Sequence, residues 1–330
     1  MDNIRYLCTD MSRLIDNIAE FLVENGFELS FQIRHDFDVI VTRTLDGRHT
    51  KVILPLEISA RTIEEAEAES ENAEYAIWMI TREAGYPLII TEDRWRSQRQ
   101  MMEARLLAHL ELFSQAYARN CEVRRIEKAE AQEFLNRNHS YGYAACKYRY
   151  GLFLKRHTGH IAAEMGFPIR SGMTDEVKNL SEGILIAVAT FSNARRWVKE
   201  GKEIRSYEWT RYASLPDLRV SGGMGKMLKA FIKEVHPDDI MSYADLEWSE
   251  GEVYERLGFE AETRKEPVTF TIDPQTWERK AIRRSPVKPG MTEEKPGMTE
   301  GDNVIPDLIG DLCFRNFGSR KFRLKLTDYK

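Results

Sequence analysis

The chain has 330 residues, 42% hydrophobic and 31% charged, with a formal net charge of −5. This is ordinary globular composition with room for about two domains, and no global basic field announces nucleic acid. No apolar run approaches the roughly 20 residues of a membrane span, and the charges within the first sixteen residues exclude a signal-peptide core. The four cysteines, Cys8, Cys121, Cys146 and Cys313, are scattered without a CxxC pair, which argues against a thiolate zinc site and suits a reducing cytoplasm.

Residues 11–25 place Leu14, Ile15, Ile18, Phe21 and Leu22 at helical spacing, with Gly26 as a stop. Three strand-like runs come next, FELSFQI, FDVIVTR and KVILPLEIS, the last two separated by a turn, LDGRHT. Residues 61–84 read as a long helix whose Glu64, Glu65, Glu67, Glu69, Glu71 and Glu74 form a solvated acidic face rather than a metal cage. YPLIITE is a short buried strand, and residues 93–113 read as one connecting helix.

The second half begins near Asn120. CEVRRIE is a strand and KAEAQEFLNRN a helix; YRYGLFLK, HIAAEMGF, GILIAVATF and IRSYEWTRYAS read as an antiparallel run of four strands. Then comes RVSGGMGKMLKAF at 219–231, where paired glycines open a helix. DIMSYAD is a strand, SEGEVYERLG a short helix, and FEAETRK and PVTFTI finish the sheet. KPGMTE occurs at 288–293 and again at 295–300, so residues 281–330 read as a low-complexity tail without function. The expectation is an α/β protein: a small α/β domain over 1–95, a helical connector over 96–119, and a mixed-sheet domain over 120–280.

Glycines at a helix start let backbone N–H groups approach a ligand, and those first donors lie unpaired at the positive end of the helix dipole. A phosphate fits there, although a single Gly-Gly signal also describes a plain helix start. The order strand, Arg219-Val-Ser-Gly222-Gly223-Met224, helix, strand, short helix with Tyr254, strand resembles the GNAT acyltransferases. In that family an Arg/Gln-x-x-Gly-x-Gly/Ala loop holds the pyrophosphate of acetyl-CoA. Arg219, Gly222 and Gly223 match in place; Met224 stands at the final small position and Gly225 comes one residue late. YERLGF at 254–259 resembles the family's closing segment, in which a tyrosine faces the thioester sulfur. NHSYGY at 138–143, EWTR at 208–211 and SYADLEWSEGEVYERLGF at 242–259 look like the phage and mobile-element branch that includes the Mom proteins, which modify adenine in phage DNA.

The resemblance implies an acyl-CoA donor, such as acetyl-CoA, and an amine acceptor, with a nucleobase in DNA as one such acceptor. Acyl transfer needs a base for the amine, a polarised carbonyl and an acid for the leaving thiolate. Tyr254 is the candidate acid, and Glu208 and His139 are candidate bases. Asp245 is a candidate for binding a nucleobase amino group or orienting a catalytic partner, or else for capping the next helix. Lys147 and Arg149 among tyrosines, and Arg195, Arg196 and Trp197 with Lys199, Lys202 and Arg205, suit phosphate contact and base stacking. His157 and His160 lack an acidic third ligand nearby, and no metal site is assigned. In the first half, Asp38 and Glu57 resemble the carboxylates of the restriction-endonuclease fold, but Ser59 stands where that pattern has its lysine. A degenerate, structural or DNA-binding domain is expected there, ending in IITEDRW at 89–95. The rivals to a nucleobase modifier are an ordinary N-acetyltransferase and a DNA-binding protein that keeps the fold without the chemistry.

Overall fold

The computed structural model describes residues 13–155, 183–282 and 311–328. The molecule is mixed α/β, with four sheets and seven α-helices among the described residues. No described helix is long and apolar enough to cross a membrane.

Helix α1 (Leu14–Glu24) buries Leu14, Ile15, Ile18 and Leu22, one stripe of a 3.6-residue period, and ends before Gly26, whose φ of +86° suits glycine. Strands β1 (Leu29–Arg34) and β2 (Phe37–Arg43) form a hairpin, and β3 (Thr50–Leu56) pairs antiparallel with β2. A parallel partner for β3 needs a crossover, which α2 (Ile63–Ala84) supplies before β4 (Leu88–Thr91). The sheet order is β1-β2-β3-β4. Val52 to Leu56 and Leu88 to Thr91 are buried without alternation because both sheet faces are covered. α1 packs on one face over Ile40, Ile53 and Ile90; α2 packs on the other over Val39, Val52 and Leu54.

The expected single connecting helix breaks at Gln98, whose φ of −130° is not helical, into α3 (Glu92–Ser97) and α4 (Arg99–His109). The connector then adds a strand, β5 (Ser114–Tyr117), parallel to β11 (Leu218–Ser221).

The large sheet is built from β6 (Cys121–Arg125), β7 (Tyr148–Leu154), β8 (Ile184–Phe191), β10 (Lys202–Ser214), β12 (Asp239–Asp245), β13 (Glu260–Lys265) and β17 (Ser319–Lys325), in the order β13-β17-β12-β10-β8-β7-β6. β9 (Arg195–Lys199) forms a hairpin with the start of β10. Every pairing in this sheet is antiparallel except β10 with β12. Helix α5 (Lys128–Asn138) covers one face with Ala131, Phe134 and Leu135 against Val188 and Ala213. Helix α6 (Gly223–Val235) covers the other, where Phe231 stacks on Phe191 with ring centroids 3.9 Å apart. Helix α7 (Glu252–Arg256) precedes β13.

Two expectations fail at the C-terminal end. PVTFTI does not finish the large sheet: β14 (Thr269–Ile272) pairs with β15 (Arg279–Ala281) and β16 (Leu312–Arg315) in a separate three-stranded sheet. Nor is the chain beyond 280 a tail throughout. β17 lies between β12 and β13, in register with β12 from Asp239↔Lys325 to Asp245↔Ser319. Cys313, Phe317 and Phe322 are buried, and Phe322 belongs to the core of the large sheet. The physical reason is visible in SRKFRLK: Phe322 and Leu324 alternate with basic residues at the period of a strand. The KPGMTE repeats and HIAAEMGF lie outside the described residues. The C-terminal segment also reaches across to the first half. Phe317 packs with Val39 and Ile77 of the first half, and Leu312 and Phe314 pack with Ile58.

Candidate functional site

β10 and β12 run side by side for three residue pairs, Ser206↔Asp239, Tyr207↔Ile240 and Glu208↔Met241. Beyond Glu208 the pairing stops, and β10 bulges between Trp209 and Arg211 against β8. A bulge bends its strand and raises the local twist. The two strands therefore diverge into a fork. Ser242 spans it: its Oγ lies 3.1 Å from the Trp209 carbonyl oxygen, to which it donates, and 2.9 Å from the Tyr254 hydroxyl. Tyr254 stacks on Phe322 at 5.2 Å and meets Trp209 and Phe259 edge-on. Burial raises its phenol pKa, and the Ser242 hydroxyl offsets part of that. The phenol is a protonated donor at neutral pH.

The glycine run begins on the same face. Gly222 is exposed, in the left-handed region at φ +75°, and acts as N-cap of α6 without any side-chain cap. No acidic residue occupies the first turn. Met224 is half-buried and packs against the core of the large sheet. A Cβ at Gly223 would sit 3.0 Å from Val220, and one at Gly225 3.2 Å from Leu257, which ties the helix start to the segment carrying Tyr254. Arg219 is exposed over the Phe113 ring at 5.3 Å, and Lys226 Nζ donates to the carbonyls of Ala118 and Cys121 at 2.8 and 2.6 Å.

The opposite face of the fork collects three motifs far apart in sequence. Ile240 and Ala244 face α6, so Asp245, one residue on from Ala244, points to the other side. Its Oδ1 accepts from the Glu247 amide at 2.9 Å, and its Oδ2 accepts from the Tyr141 hydroxyl at 2.8 Å. Arg211 donates to the Gly142 carbonyl at 3.0 Å and holds the same loop. The DRW of IITEDRW enters here. Arg94 Nε donates to Glu247 at 2.9 Å, its terminal nitrogen lies 3.5 Å from Asp245, and its guanidinium lies over the Tyr141 ring at 4.9 Å. Arg279 donates to Glu247 at 2.7 Å and to Asp93 and Thr91 at 2.9 Å each. Arg105 caps the carbonyls of Ile89, Glu247 and Trp248. Burial raises the Glu247 carboxyl, but Arg279 and Arg94 outweigh it and hold the group below its ordinary range. Asp245 is pushed up by burial and by the Glu247 charge.

Among the predicted residues, His139 and Asp245 thus join this cluster, with different chemistry. His139 Nδ1 accepts from the Tyr141 amide at 3.1 Å, so its proton is on Nε2. Burial first, then Arg211 and Arg94, lowers its pKa to about 3. This imidazole stays neutral and presents an N–H donor at Nε2. Asp245 caps no helix; it closes a turn and anchors Arg94 and Tyr141. Glu208 is half-buried on β10, and no hydrogen bond or ion pair engages its carboxylate among the described residues. Tyr254 bonds to Ser242 rather than to Glu208, His139 or Asp245. Sequence reasoning named neither Arg94, Glu247 and Arg279 nor Tyr141 as site residues; the signal was a charged triplet, Glu92-Asp93-Arg94, directly continuing an apolar strand.

The basic candidates lie apart from the fork. Arg195, Arg196, Trp197 and Lys199 are exposed along β9, with Arg196 paired to Glu203 at 3.1 Å. Arg205 is tied to the His236 carbonyl at 2.5 Å. Lys147 is exposed over Tyr148, whereas Arg149 donates to the Cys146 carbonyl at 3.1 Å and is a loop tie.

In the first half, Arg13 sits 2.6 Å from Asp38 and 3.7 Å from Glu57, placing a cation between the paired carboxylates. Glu57 also accepts from the Leu14 amide at 3.1 Å, and Ser59 donates to Glu69 at 2.7 Å. Among the described residues no group of His, Cys, Asp and Glu could hold a metal ion.

No protein-family model and no curated protein matches this sequence. The functional reading rests on the geometry of the fork.

Proposed function

We propose that residues 121–325 form a GNAT-like acyltransferase domain that moves an acyl group from an acyl-CoA-type donor to an amine, with a nucleobase of phage or mobile-element DNA as the acceptor. The observation that carries this reading is the fork between β10 and β12, with a protonated tyrosine at its centre and an uncapped helix start on the same face. The sheet order, with one parallel pair at the point of divergence, supports it.

The residues at the start of α6 fit an anionic group. Gly222 has no side chain over its amide, the first turn carries no carboxylate, Met224 packs against the core, and Arg219 adds an exposed cation. Arg219, Gly222, Gly223 and Gly225 would hold the pyrophosphate. The bound donor supplies an acyl group on a good leaving group, a thiolate.

Tyr254 holds its proton at the hydroxyl oxygen inside the fork, where burial keeps it in place for delivery to a leaving anion. The Glu208 carboxylate, with no hydrogen bond or ion pair among the described residues, accepts the proton of an incoming amine. The N–H of His139 and the Tyr141–Asp245 pair line the acceptor side with donors and an acceptor, the set that an exocyclic amino group and ring nitrogen of a base would meet. Arg195, Arg196 and Trp197 supply phosphate contact and stacking further along the sheet.

Calorimetric titration of the protein with acetyl-CoA, with mass spectrometry of nucleosides from cells expressing it, tests the reading. Binding with an added acyl mass on a nucleoside is expected. Binding with unchanged nucleosides and an acetylated small amine would point to an ordinary N-acetyltransferase. Absence of binding would leave a non-catalytic DNA-binding protein.

A further inference from the structure

A cavity of about 340 Å³ lies between α1, the α3–α4 segment and the turn joining β14 to β15. Leu14, Asn17, Trp95, Arg96, Arg99 and Trp277 line it. The lining carries two cations and no carboxylate, and its volume is at the lower end of the range for small-molecule sites.

Both arginines sit over indoles. The Arg99 guanidinium is 4.1 Å from the Trp95 ring centre, and that of Arg96 is 4.6 Å from the Trp277 ring centre. A guanidinium held over a ring face is restrained in position. Arg96 is steadied by Glu92 at 2.9 Å and Arg99 through Nε by Glu103 at 2.6 Å. Trp95 is 2% exposed, and its indole N–H has no hydrogen-bond partner among the described residues, a cost proteins seldom leave unexplained.

Trp277 has φ +59°, a costly backbone for a bulky side chain. Its turn is nevertheless fully specified: its amide donates to the Asp273 carbonyl at 2.7 Å, while Asp273 Oδ1 accepts from Gln275 and Thr276. Each wall is also anchored from behind. Asp93 and Arg94 of α3, and Arg279 beyond Trp277, are locked in the buried ion cluster. The cavity is therefore formed before any occupant arrives.

From these features we infer that the cavity binds a nucleoside phosphate, its phosphate at Arg96 and Arg99 and its base against the half-buried Trp277 indole. The guanidinium nitrogens not engaged by Glu92 and Glu103 match phosphate oxygens, and the Trp277 indole offers an apolar wall to a planar ring. The site is separate from the fork and does not depend on the transferase reading.

Calorimetry on the full chain with adenosine 5′-monophosphate, adenosine and inorganic phosphate tests it. The monophosphate is expected to bind at least tenfold tighter than either fragment. R96Q/R99Q should weaken it at least tenfold, and R99Q alone, at a side chain 44% exposed, severalfold, with unchanged thermal melting. G222D, at the start of α6, should leave it unchanged. A 5′-phosphorylated single-stranded oligonucleotide in competition separates the two sources: tighter binding of the oligonucleotide assigns the site to a DNA or RNA end, tighter binding of the mononucleotide to a free nucleotide. Equal binding of adenosine and its monophosphate would overturn the inference. So would binding lost in G222D but kept in R96Q/R99Q, or no saturable binding of either phosphate.

Discussion

Two helix starts in this protein contrast. α2 opens with Thr62, whose hydroxyl accepts from the Glu65 amide at 3.1 Å while the Glu65 carboxylate accepts from the Thr62 amide at 3.3 Å. The same closure extends around it: Ser59 is spent on Glu69, and Arg13 lies between Asp38 and Glu57. α6 opens on a bare left-handed glycine with no cap and no acid. The start of α2 and the Asp38–Glu57 pair satisfy their polar groups internally, whereas the start of α6 and Glu208 leave donors and a carboxylate open beside the fork. Groups satisfied internally hold a fold together; groups left open are the ones that bind and react. Substitutions at closed groups should therefore move stability, and substitutions at open groups should move ligand handling.

The largest effect is expected at the closed ion cluster. R279M leaves Asp93 and Glu247 buried without their shared cation, and breaking such a pair costs about 3–5 kcal/mol; a denaturant melt should show it. The cluster also sets a pH dependence. Glu247 is held below its ordinary range, so its contribution is present above the unfolded carboxyl pKa of about 4.3 and is lost as pH falls below it. Asp245, held above its ordinary range, works in the opposite direction and blunts the loss. Wild-type melting should fall with acidification from about pH 5, and R279M should lose most of that slope. A melt of R279M equal to wild type would erase the contrast.

Next is Y254F. Removing an acid from the fork should cost about 100-fold in kcat, the lower end for general acid–base catalysis, with acetyl-CoA affinity and melting temperature little changed. A variant equally active would reduce Tyr254 to core packing. G222D puts a carboxylate at the open helix start, and about tenfold weaker acetyl-CoA binding is expected by calorimetry, since charge and dipole both oppose the anion. The smallest effect is T62A: loss of the α2 cap should cost about 1 kcal/mol and leave acetyl-CoA binding unaltered.

How much of this was legible varies by element. α5 and β12 fall on the residues expected, 128–138 and 239–245, because an amphipathic stretch and a branched apolar run are local signals. β17 was hidden behind a repetitive stretch, and its partners, β12 and β13, lie more than fifty residues away. Tyr254 and the glycines are sequence features that the fold brings to one face. His139 shows the limit of residue type: whether an imidazole is base or donor depends on which nitrogen is already engaged, here by the Tyr141 amide.

Periodicity and turn chemistry in the chain alone determined most helices and strands, the glycine-opened start of α6, and the want of a lysine at position 59. Only the tertiary structure decided that β10 and β12 diverge after three pairs, that Arg13 sits between Asp38 and Glu57, and that DRW, SYAD and NHSYGY meet around Glu247. The physical reason is one of range. Backbone propensity acts over a few residues, whereas the partner of a buried charge is whichever group packing delivers from far along the chain, as Arg94 and Glu247 show across 153 positions.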